Sequence, residues 1–177
     1  TADEIRNAIK IKDLKEVIKE RNRLKIGNIN CPTSCECTGS VIRCEFENGT
    51  RIMTIYAGKS GNVIVQIKGE NMTTNVTLYK SEDKVYGIFA GNETREIKVL
   101  PDQVKERIKA RIRARLQNEN ITLNENGTYQ YDAEKQARLF FIIPVKVSVR
   151  AHIDSDTGEI TNIEGSKWWS FLAKDEQ

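Results

Sequence analysis

The hydrophobic positions of residues 3–25 recur with helical spacing and form two short stripes. At about 100° per residue, the stripes point to nearly opposite sides of a helix. Either the helix kinks at the capping box of Asp13–Glu16 and packs on its own sheet, or it contacts apolar surface on two sides. The second alternative would suit docking on a neighbouring subunit. The stripes are Ile5, Ala8 and Ile9, and then Ile11, Leu14, Val17, Ile18 and Leu24.

From residue 41 to residue 99 the pattern changes to short alternating segments separated by turn signals such as Asn48-Gly49. Val63, Val65 and Ile67 alternate with polar residues, as in a strand with one buried side. Near-regular spacing with hairpin turns predicts an antiparallel meander. The predicted strands are Val41–Phe46, Arg51–Ala57, Asn62–Lys68, Thr73–Tyr79, Lys84–Phe89 and Thr94–Val99.

A second helix is predicted after Pro101, a residue suited to a first helical turn. Its apolar stripe is Val104, Ile108, Ile112 and Leu116, and its remaining surface is basic, which suits either solvent or an acidic partner. Four strands are predicted to follow, at Thr128–Tyr131, Ala137–Ile143, Lys146–Ile153 and Glu159–Glu164.

These elements predict an α+β fold: an N-terminal helix, an antiparallel β meander, and a helix packed on an antiparallel sheet. We expect an N-terminal helical arm at 1–30, a disulfide-stapled β region at 31–99, and a helix-plus-sheet region with an aromatic tail at 100–177.

Composition narrows the function classes. The 177 residues are 30% charged with a net charge of +3, too weakly basic to indicate a nucleic-acid partner. No apolar run approaches the roughly 18 residues that would span a bilayer. Abundant Lys, Glu and Ile are typical of hyperthermophile proteins, so we expect an archaeal source.

All four cysteines lie between Cys31 and Cys44, with the spacing C-x3-C-x-C-x6-C. Structural zinc sites more often have two separate C-x2-C knuckles, and no C-x-x-C redox pair is present. Two disulfides are therefore favoured over zinc and over free thiols. We expect Cys31 to pair with Cys37 and Cys35 with Cys44, although four cysteines allow three patterns.

The segment C-P-T-S-C-E-C-T-G-S-V-I-R-C resembles the cysteine-rich N-terminal cap of secreted leucine-rich-repeat proteins. The resemblance ends at Cys44, because no leucine-rich repeat follows. It implies extracellular disulfides and does not imply that fold.

The chain contains six N-linked glycosylation sequons, several times more than its Asn, Ser and Thr content would give by chance. All six end in Thr and lie near predicted turns or exposed strands. Accidental sequons in an Asn- and Thr-rich β protein are the alternative. With the cysteines, these sites place the chain outside the cytoplasm. They are Asn48, Asn71, Asn75, Asn92, Asn120 and Asn126.

The stretch V-S-V-R-A-H-I-D-S-D-T-G-E-I-T-N-I-E, within residues 100–164, resembles the last hairpin of a PepSY domain. The matching positions are Asp154, Asp156, Thr157, Gly158 and Glu159. The resemblance implies a PepSY- or cystatin-like helix on an antiparallel sheet and an extracytoplasmic inhibitory or chaperone role. The same turn is a fragment of a calcium loop, but capping of backbone amides by Asp154 and Asp156 explains it without metal.

No catalytic constellation is recognisable. The single histidine, His152, lies in a predicted strand, and no nucleophile elbow, phosphate loop or zinc-protease motif occurs. Carboxylates paired in space remain open. We expect a protein that is not an enzyme, without metal or cofactor apart from N-linked glycans.

The chain ends offer candidate assembly residues. Trp168, Trp169 and Phe171 form the densest aromatic cluster, which either closes the core or inserts into a partner, and Ile5 and Ile9 lie on the N-terminal arm. The favoured hypothesis is a homo-oligomeric or polymeric subunit of an extracellular layer or filament, with a further extracellular protein partner also open. The alternatives are a PepSY-like module that binds or inhibits an extracytoplasmic peptidase, and the ectodomain of a protein anchored by a segment beyond Gln177.

Overall fold

The computed structural model describes residues 19–112, 115–139, 142–165 and 173–175. Of these residues, 54% are in strands and 15% in helices. The helix α1 is Pro101–Ile112, and single 3-10 turns lie at Lys59–Gly61 and Ala90–Asn92. The strands are β1 (Cys35–Cys37), β2 (Val41–Phe46), β3 (Arg51–Ala57), β4 (Val63–Ile67), β5 (Glu70–Thr74), β6 (Thr77–Ser81), β7 (Lys84–Ile88), β8 (Thr94–Glu96), β9 (Leu116–Leu123), β10 (Thr128–Leu139), β11 (Ile143–Asp154), β12 (Ile160–Gly165) and β13 (Ala173–Asp175).

One large sheet runs through most of the described chain, in the order β1-β2-β3-β4-β5-β9-β10-β11-β12, with β13 added to β10. Its neighbouring strands are antiparallel except at the centre, where β5 and β9 run parallel. Thr73 lies opposite Thr122 there, and Thr74 lies opposite Leu123. The sheet is therefore two antiparallel halves joined by one short parallel contact.

A smaller sheet of β6, β7 and β8 lies beside the large one. The chain before it adds a short strand-like contact: Arg23 bridges to Tyr79, and the Leu24 amide donates to the Leu78 carbonyl at 2.8 Å. Leu24 is buried with the core. One hydrophobic core combines both sheets with α1.

Alternation decides which side of the large sheet faces this core. Ile42 and Cys44 of β2 and Met53 and Ile55 of β3 are fully buried, whereas the residues between them are not. The opposite side carries polar residues and is here called the open face. Period-two burial of this kind is expected for a sheet with one solvated side.

Helix α1 covers part of the core face with Val104 and Ile108, which are fully buried. Pro101 occupies its first turn, where a missing N–H breaks no helical hydrogen bond. Asp102, also in the first turn, is paired with Arg51 of β3. This pair of buried side chains, one from α1 and one from β3, therefore fixes the start of α1 to the sheet.

The predicted α+β, PepSY/cystatin-like architecture is wrong: the described chain is mostly β and is built on one mixed sheet. The error begins at Leu116, whose four-residue spacing from Ile112 extended the predicted helix. The helix ends by Ile112, and Leu116 instead begins β9. The polar stretch Gln117–Asn120 does not resemble a strand, but β9 is the strand that joins the two halves of the sheet.

The predicted boundaries of the three regions, near residues 30 and 100, stay predictions. The pairing of β5 with β9 joins residues from before and after position 100 in one sheet. This pairing does not decide where one region ends and the next begins. Residues Lys19–Arg21 are helical, and the rest of the predicted N-terminal helix lies outside the described residues.

Candidate functional surface

The cysteine segment forms a cross-linked edge of the large sheet. Cys31 is bonded to Cys37 and Cys35 to Cys44, so the predicted disulfides are confirmed with the expected pairing and no cysteine is free. Cys35 and Cys44 are direct cross-strand partners between β1 and β2. The zinc and free-thiol alternatives therefore do not hold.

Lys80 fastens this edge to the small sheet. The residue is only 4% exposed, and its Nζ lies 4.9 Å from the centre of the Phe46 ring. Its ammonium donates to the carbonyls of Glu82 and Thr33, the latter at 3.4 Å. The two carbonyl oxygens and the face of the Phe46 ring thus compensate for the buried positive charge, so Lys80 has a structural role.

All six sequon asparagines are exposed. The seven other described asparagines behave differently: Asn30, Asn118 and Asn162 are exposed, whereas Asn22, Asn28, Asn62 and Asn124 are partly buried. Accidental sequons would share this mixed exposure. The sequon sites are therefore the asparagines most open to a bulky modification.

Local hydrogen bonds leave the attachment atom accessible at two sequons. The side-chain oxygen of Asn71 accepts from Gln66 Nε2 at 3.0 Å. The side-chain oxygen of Asn126 accepts from the Thr128 amide at 3.0 Å and from the Thr128 hydroxyl. An N-linked sugar attaches to Nδ2 and keeps the amide oxygen, so both sets of contacts are compatible with modification.

Two sequons lie on the open face of the sheet. Asn71 of β5 precedes the buried Met72, and Asn120 of β9 precedes the buried Ile121, so both side chains point away from the core. Neighbouring strands are about 4.8 Å apart, and the two asparagines are on adjacent strands. Sugars at both positions would cover the centre of the open face.

Three further sequons gather at one end of the sheet. Asn75 directly follows β5, where Thr74 pairs with Leu123. The Ala90 amide donates to the Glu125 carbonyl at 2.8 Å, which brings the turn of Asn92 to that of Asn126. The sixth sequon, Asn48, lies in the turn between β2 and β3, at the other end of the strands.

The open face beyond Asn120 carries paired charges. Arg150 Nε donates to Asp132 at 2.6 Å, and Lys146 lies 3.3 Å from Glu134. Burial alone would raise the pKa of Asp132, but hydrogen bonds from Gln130 and Arg150 outweigh it and lower that pKa. Asp132, Glu134 and Arg150 border an open depression of about 520 Å³, together with Glu164, whose carboxylate accepts from Asn162 Nδ2 at 2.9 Å. The lining therefore carries three carboxylates and one guanidinium, and the depression presents a polar surface with more acidic than basic groups.

The arrangement most like a catalytic site lies between α1 and the sheet. Lys105 Nζ lies 2.9 Å from Glu70 and 3.3 Å from Glu119, and the Tyr131 hydroxyl donates to Glu119 at 2.7 Å. Glu119 alternates in step with the buried Ile121 and Leu123 of β9, so its side chain belongs to the core face.

The titration of this cluster fits a structural role. Burial alone would lower the pKa of Lys105, but hydrogen bonds to Glu70 and Glu119 raise it above its usual value. Burial raises the pKa of Tyr131 strongly, and Glu119 raises it further. Because Lys105 is held protonated and Tyr131 is held neutral, neither side chain provides a base or a nucleophile near neutral pH.

The turn that follows β11 is stabilised by its own aspartate. Asp154 Oδ1 accepts from the amides of Asp156 at 3.0 Å and Thr157 at 2.8 Å, and from the Thr157 hydroxyl at 3.1 Å. The Thr157 amide is the main cause of the lowered pKa of Asp154. In the described parts of the chain, no three His, Cys, Asp or Glu side chains are grouped as metal ligands.

The candidate assembly residues Ile5, Ile9, Trp168, Trp169 and Phe171 lie outside the described residues. Sequence patterns alone also did not identify the Lys105 cluster, because Glu70 and Glu119 are 49 positions apart and meet through the β5–β9 contact. No signal in either segment indicated that contact.

Among the described residues, no helix is both long and apolar enough to cross a bilayer. Comparison of the chain with protein-family models, with curated proteins and with solved structures finds no match in any of the three. The PepSY-like and repeat-cap resemblances therefore stay hypotheses drawn from short motifs.

Proposed function

We propose that the chain is a secreted, N-glycosylated, non-enzymatic protein that serves as an assembly subunit of an extracellular layer or filament. The observation that carries the proposal is the exposure of all six sequon asparagines. Sugar chains at the six positions would cover the centre of the open face and the ends of its strands, and would leave contact surfaces where sugars are absent. That division of the surface suits a subunit that is exposed to its environment and packed against neighbours.

The disulfides support an extracellular location. Disulfides persist in oxidising compartments and are uncommon in the cytosol, although hyperthermophile proteins are an exception. Both crosslinks lie at an edge strand, where pairing alone holds only three residues of β1. The two disulfides therefore stabilise this edge of the sheet and also support an extracellular location.

The described residues also favour a binding role over catalysis. Lys105 is held between two carboxylates, Asp154 is occupied by backbone amides, and no sulfur is free. The peptidase-binding and anchored-ectodomain alternatives stay hypotheses, and no particular contact favours either.

The intact mass of protein purified from its natural source tests the proposal. We expect the mass to fall on deglycosylation and then to rise by two hydrogens for each disulfide on reduction. In that host, Asn71→Gln should remove one glycan, whereas Asn162→Gln, at an exposed asparagine outside any sequon, should leave the mass of sugar unchanged. Bare asparagines together with titratable thiols would refute the secreted glycoprotein.

Electron microscopy of the same material tests the assembly role separately. We expect ordered layers or filaments that contain this chain. A glycosylated protein found only as dispersed single copies would retain the location and remove the structural role.

A further inference from the structure

The contact between β5 and β9 joins the two halves of the large sheet through only two residue pairs. An open groove of about 330 Å³ lies at this contact. Its walls come from both halves, with residues 73–75 on one side and residues 122–125 on the other. We name it the seam groove. A group lying in the seam groove would therefore touch both halves of the sheet.

Asn75, one of the sequon asparagines, forms part of the wall of the seam groove. Its backbone is fixed on both sides, because the Thr74 hydroxyl donates to the Leu123 carbonyl at 2.8 Å and accepts from the Val76 amide at 3.0 Å. Thr74 and Val76 are buried, whereas Asn75 is exposed. The fold thus sets the position from which a sugar would extend, which lowers the entropy cost of holding that sugar against the protein.

We infer that the first sugar attached to Asn75 lies in the seam groove, contacts both halves of the sheet and stabilises the contact between them. This inference rests on the proposed glycosylation and names a contact that one of the sugar chains makes. The volume of the groove lies at the lower end of the range for small-molecule sites, about 300–1,000 Å³. A sugar tethered at the wall of the groove needs little affinity of its own, because its effective concentration there is high.

The lining of the seam groove suits the hydroxyl groups of a sugar. Thr73 and Thr122 present hydroxyls whose oxygens lie 3.3 Å apart, and Glu125 is exposed on the wall. Asn62 also lines the groove, and its side-chain oxygen is buried without a hydrogen-bond partner in the described part of the chain. Most buried polar atoms in proteins have such a partner. Sugar hydroxyls both donate and accept, so they can pair with the hydroxyls, the carboxylate and the amide.

A second depression, of about 380 Å³, also borders Asn75. Its lining includes apolar residues such as Leu24, Val63 and Leu78. A sugar placed against these side chains would leave more of its hydroxyls without hydrogen-bond partners, which is unfavourable. The seam groove is therefore the better match for the sugar.

Expression in two hosts separates the contribution of the sugar from that of the asparagine side chain. Wild type, Asn75→Gln and Asn71→Gln are each made in a glycosylating host and in a secretory host without N-glycosylation. In the glycosylating host, Asn75→Gln should lower the unfolding midpoint by about 2–4 °C, the shift expected for about one hydrogen bond in a chain of this size. In the other host it should match wild type. Asn71→Gln removes a sugar from the same strand outside the groove lining, and it should shift the midpoint less.

A substitution on the opposite wall tests where the sugar lies. Glu125→Ala should lower the unfolding midpoint of the glycosylated chain, but it should have little effect once Asn75→Gln is also present, because the two groups would no longer be coupled. Glu159→Ala, at an exposed glutamate outside the groove lining, is the control and should act equally in both backgrounds. Additive effects of Glu125→Ala and Asn75→Gln would overturn the inference.

Peptide mass spectrometry of protein from its natural source measures whether Asn75 carries a sugar. A bare Asn75 beside other modified sequons would overturn the inference and leave the proposed glycoprotein intact. The same conclusion would follow if Asn75→Gln lowered the unfolding midpoint equally in the two hosts. Bare asparagines at all six sequons would refute both the inference and the proposed function.

Discussion

Arg51 and Asp102 form a buried ion pair that joins the large sheet to α1. Arg51 Nη2 lies 2.5 Å and 2.6 Å from the two carboxylate oxygens of Asp102, and the side chains are 9% and 6% exposed. Lys68, whose side chain is exposed, also contacts this carboxylate, with its Nζ 3.6 Å from an Asp102 oxygen. An acidic residue in a first helical turn is also favoured by the helix dipole. The pair therefore sets where α1 begins on the sheet.

Replacing Asp102 by Ala should lower the free energy of unfolding by about 3–5 kcal/mol, because it leaves the Arg51 guanidinium buried without its partner. Urea denaturation followed by circular dichroism measures the loss. Lys68→Ala, which removes an exposed contact to the same carboxylate, should cost less than about 1 kcal/mol. Equal effects of the two substitutions would contradict a dominant buried pair.

Substitutions at Gly158 and Gly91 distinguish the cost of a left-handed backbone from the cost of a steric clash. Both have positive φ, 71° and 76°, but a Cβ at Gly158 would lie 2.6 Å from Arg107 Cζ and 2.8 Å from Val99, whereas a Cβ at Gly91 would meet nothing within 4 Å. Gly91→Ala should cost about 1–2 kcal/mol from the left-handed backbone alone. Gly158→Ala should cost about 1–3 kcal/mol more. Thermal unfolding of both variants tests the difference, and a Gly91 variant that is the less stable would contradict it.

The two disulfides should differ in importance. Cys44 is fully buried, whereas Cys31 is exposed. Removing Cys35 and Cys44 together, each changed to Ala, should cost about 2–4 kcal/mol, from the lost crosslink and from the gap left at Cys44. The matched Cys31→Ala and Cys37→Ala pair should cost less. Melting curves under non-reducing conditions compare the two variants with wild type. The reverse ranking would show that the exposed crosslink dominates.

Asp154 should contribute to loss of stability in acid. Its pKa is lowered in the fold, chiefly by the Thr157 amide and opposed by partial burial. A lowered folded pKa means that the contribution is present above the usual aspartate pKa of about 4 and is lost as pH falls through the folded value. Asp154→Asn should therefore flatten the decline of the unfolding midpoint below about pH 4. An unchanged decline would assign it to other carboxylates, of which Asp132 is the first to test.

Local features were predictable from the sequence. The strands Val41–Phe46 and Arg51–Ala57 occur with the predicted bounds, because Asn48-Gly49 supplies the left-handed turn that alternating flanks require. The disulfides followed from the clustering of the cysteines. Exposure of the sequon asparagines followed from their placement near turns.

Features that depend on distant partners were not predictable. The predicted strand Thr73–Tyr79 divides near Asn75, and its two parts enter different sheets. The break has no Gly or Pro. It is stabilised by Thr74, whose hydroxyl donates to the Leu123 carbonyl and accepts from the Val76 amide. Since Leu123 lies 49 positions away, no window around Thr74 contains that information.

The candidate site residues differ in the same way. The sequons are three-residue motifs that the sequence shows directly, whereas the Lys105 cluster depends on Glu70 and Glu119, which are brought together by the pairing of β5 with β9.

The parallel contact between β5 and β9 has a consequence for how the chain folds. Hairpins among the first five strands close over short loops, but Thr73 cannot meet Thr122 until a further 49 residues have been synthesised and the small sheet and α1 lie between them. Closing so long a loop is slow compared with forming a hairpin. During synthesis β5 is therefore a temporary outer strand, and the polar residue Asn71 on it lies where premature association between nascent chains would begin.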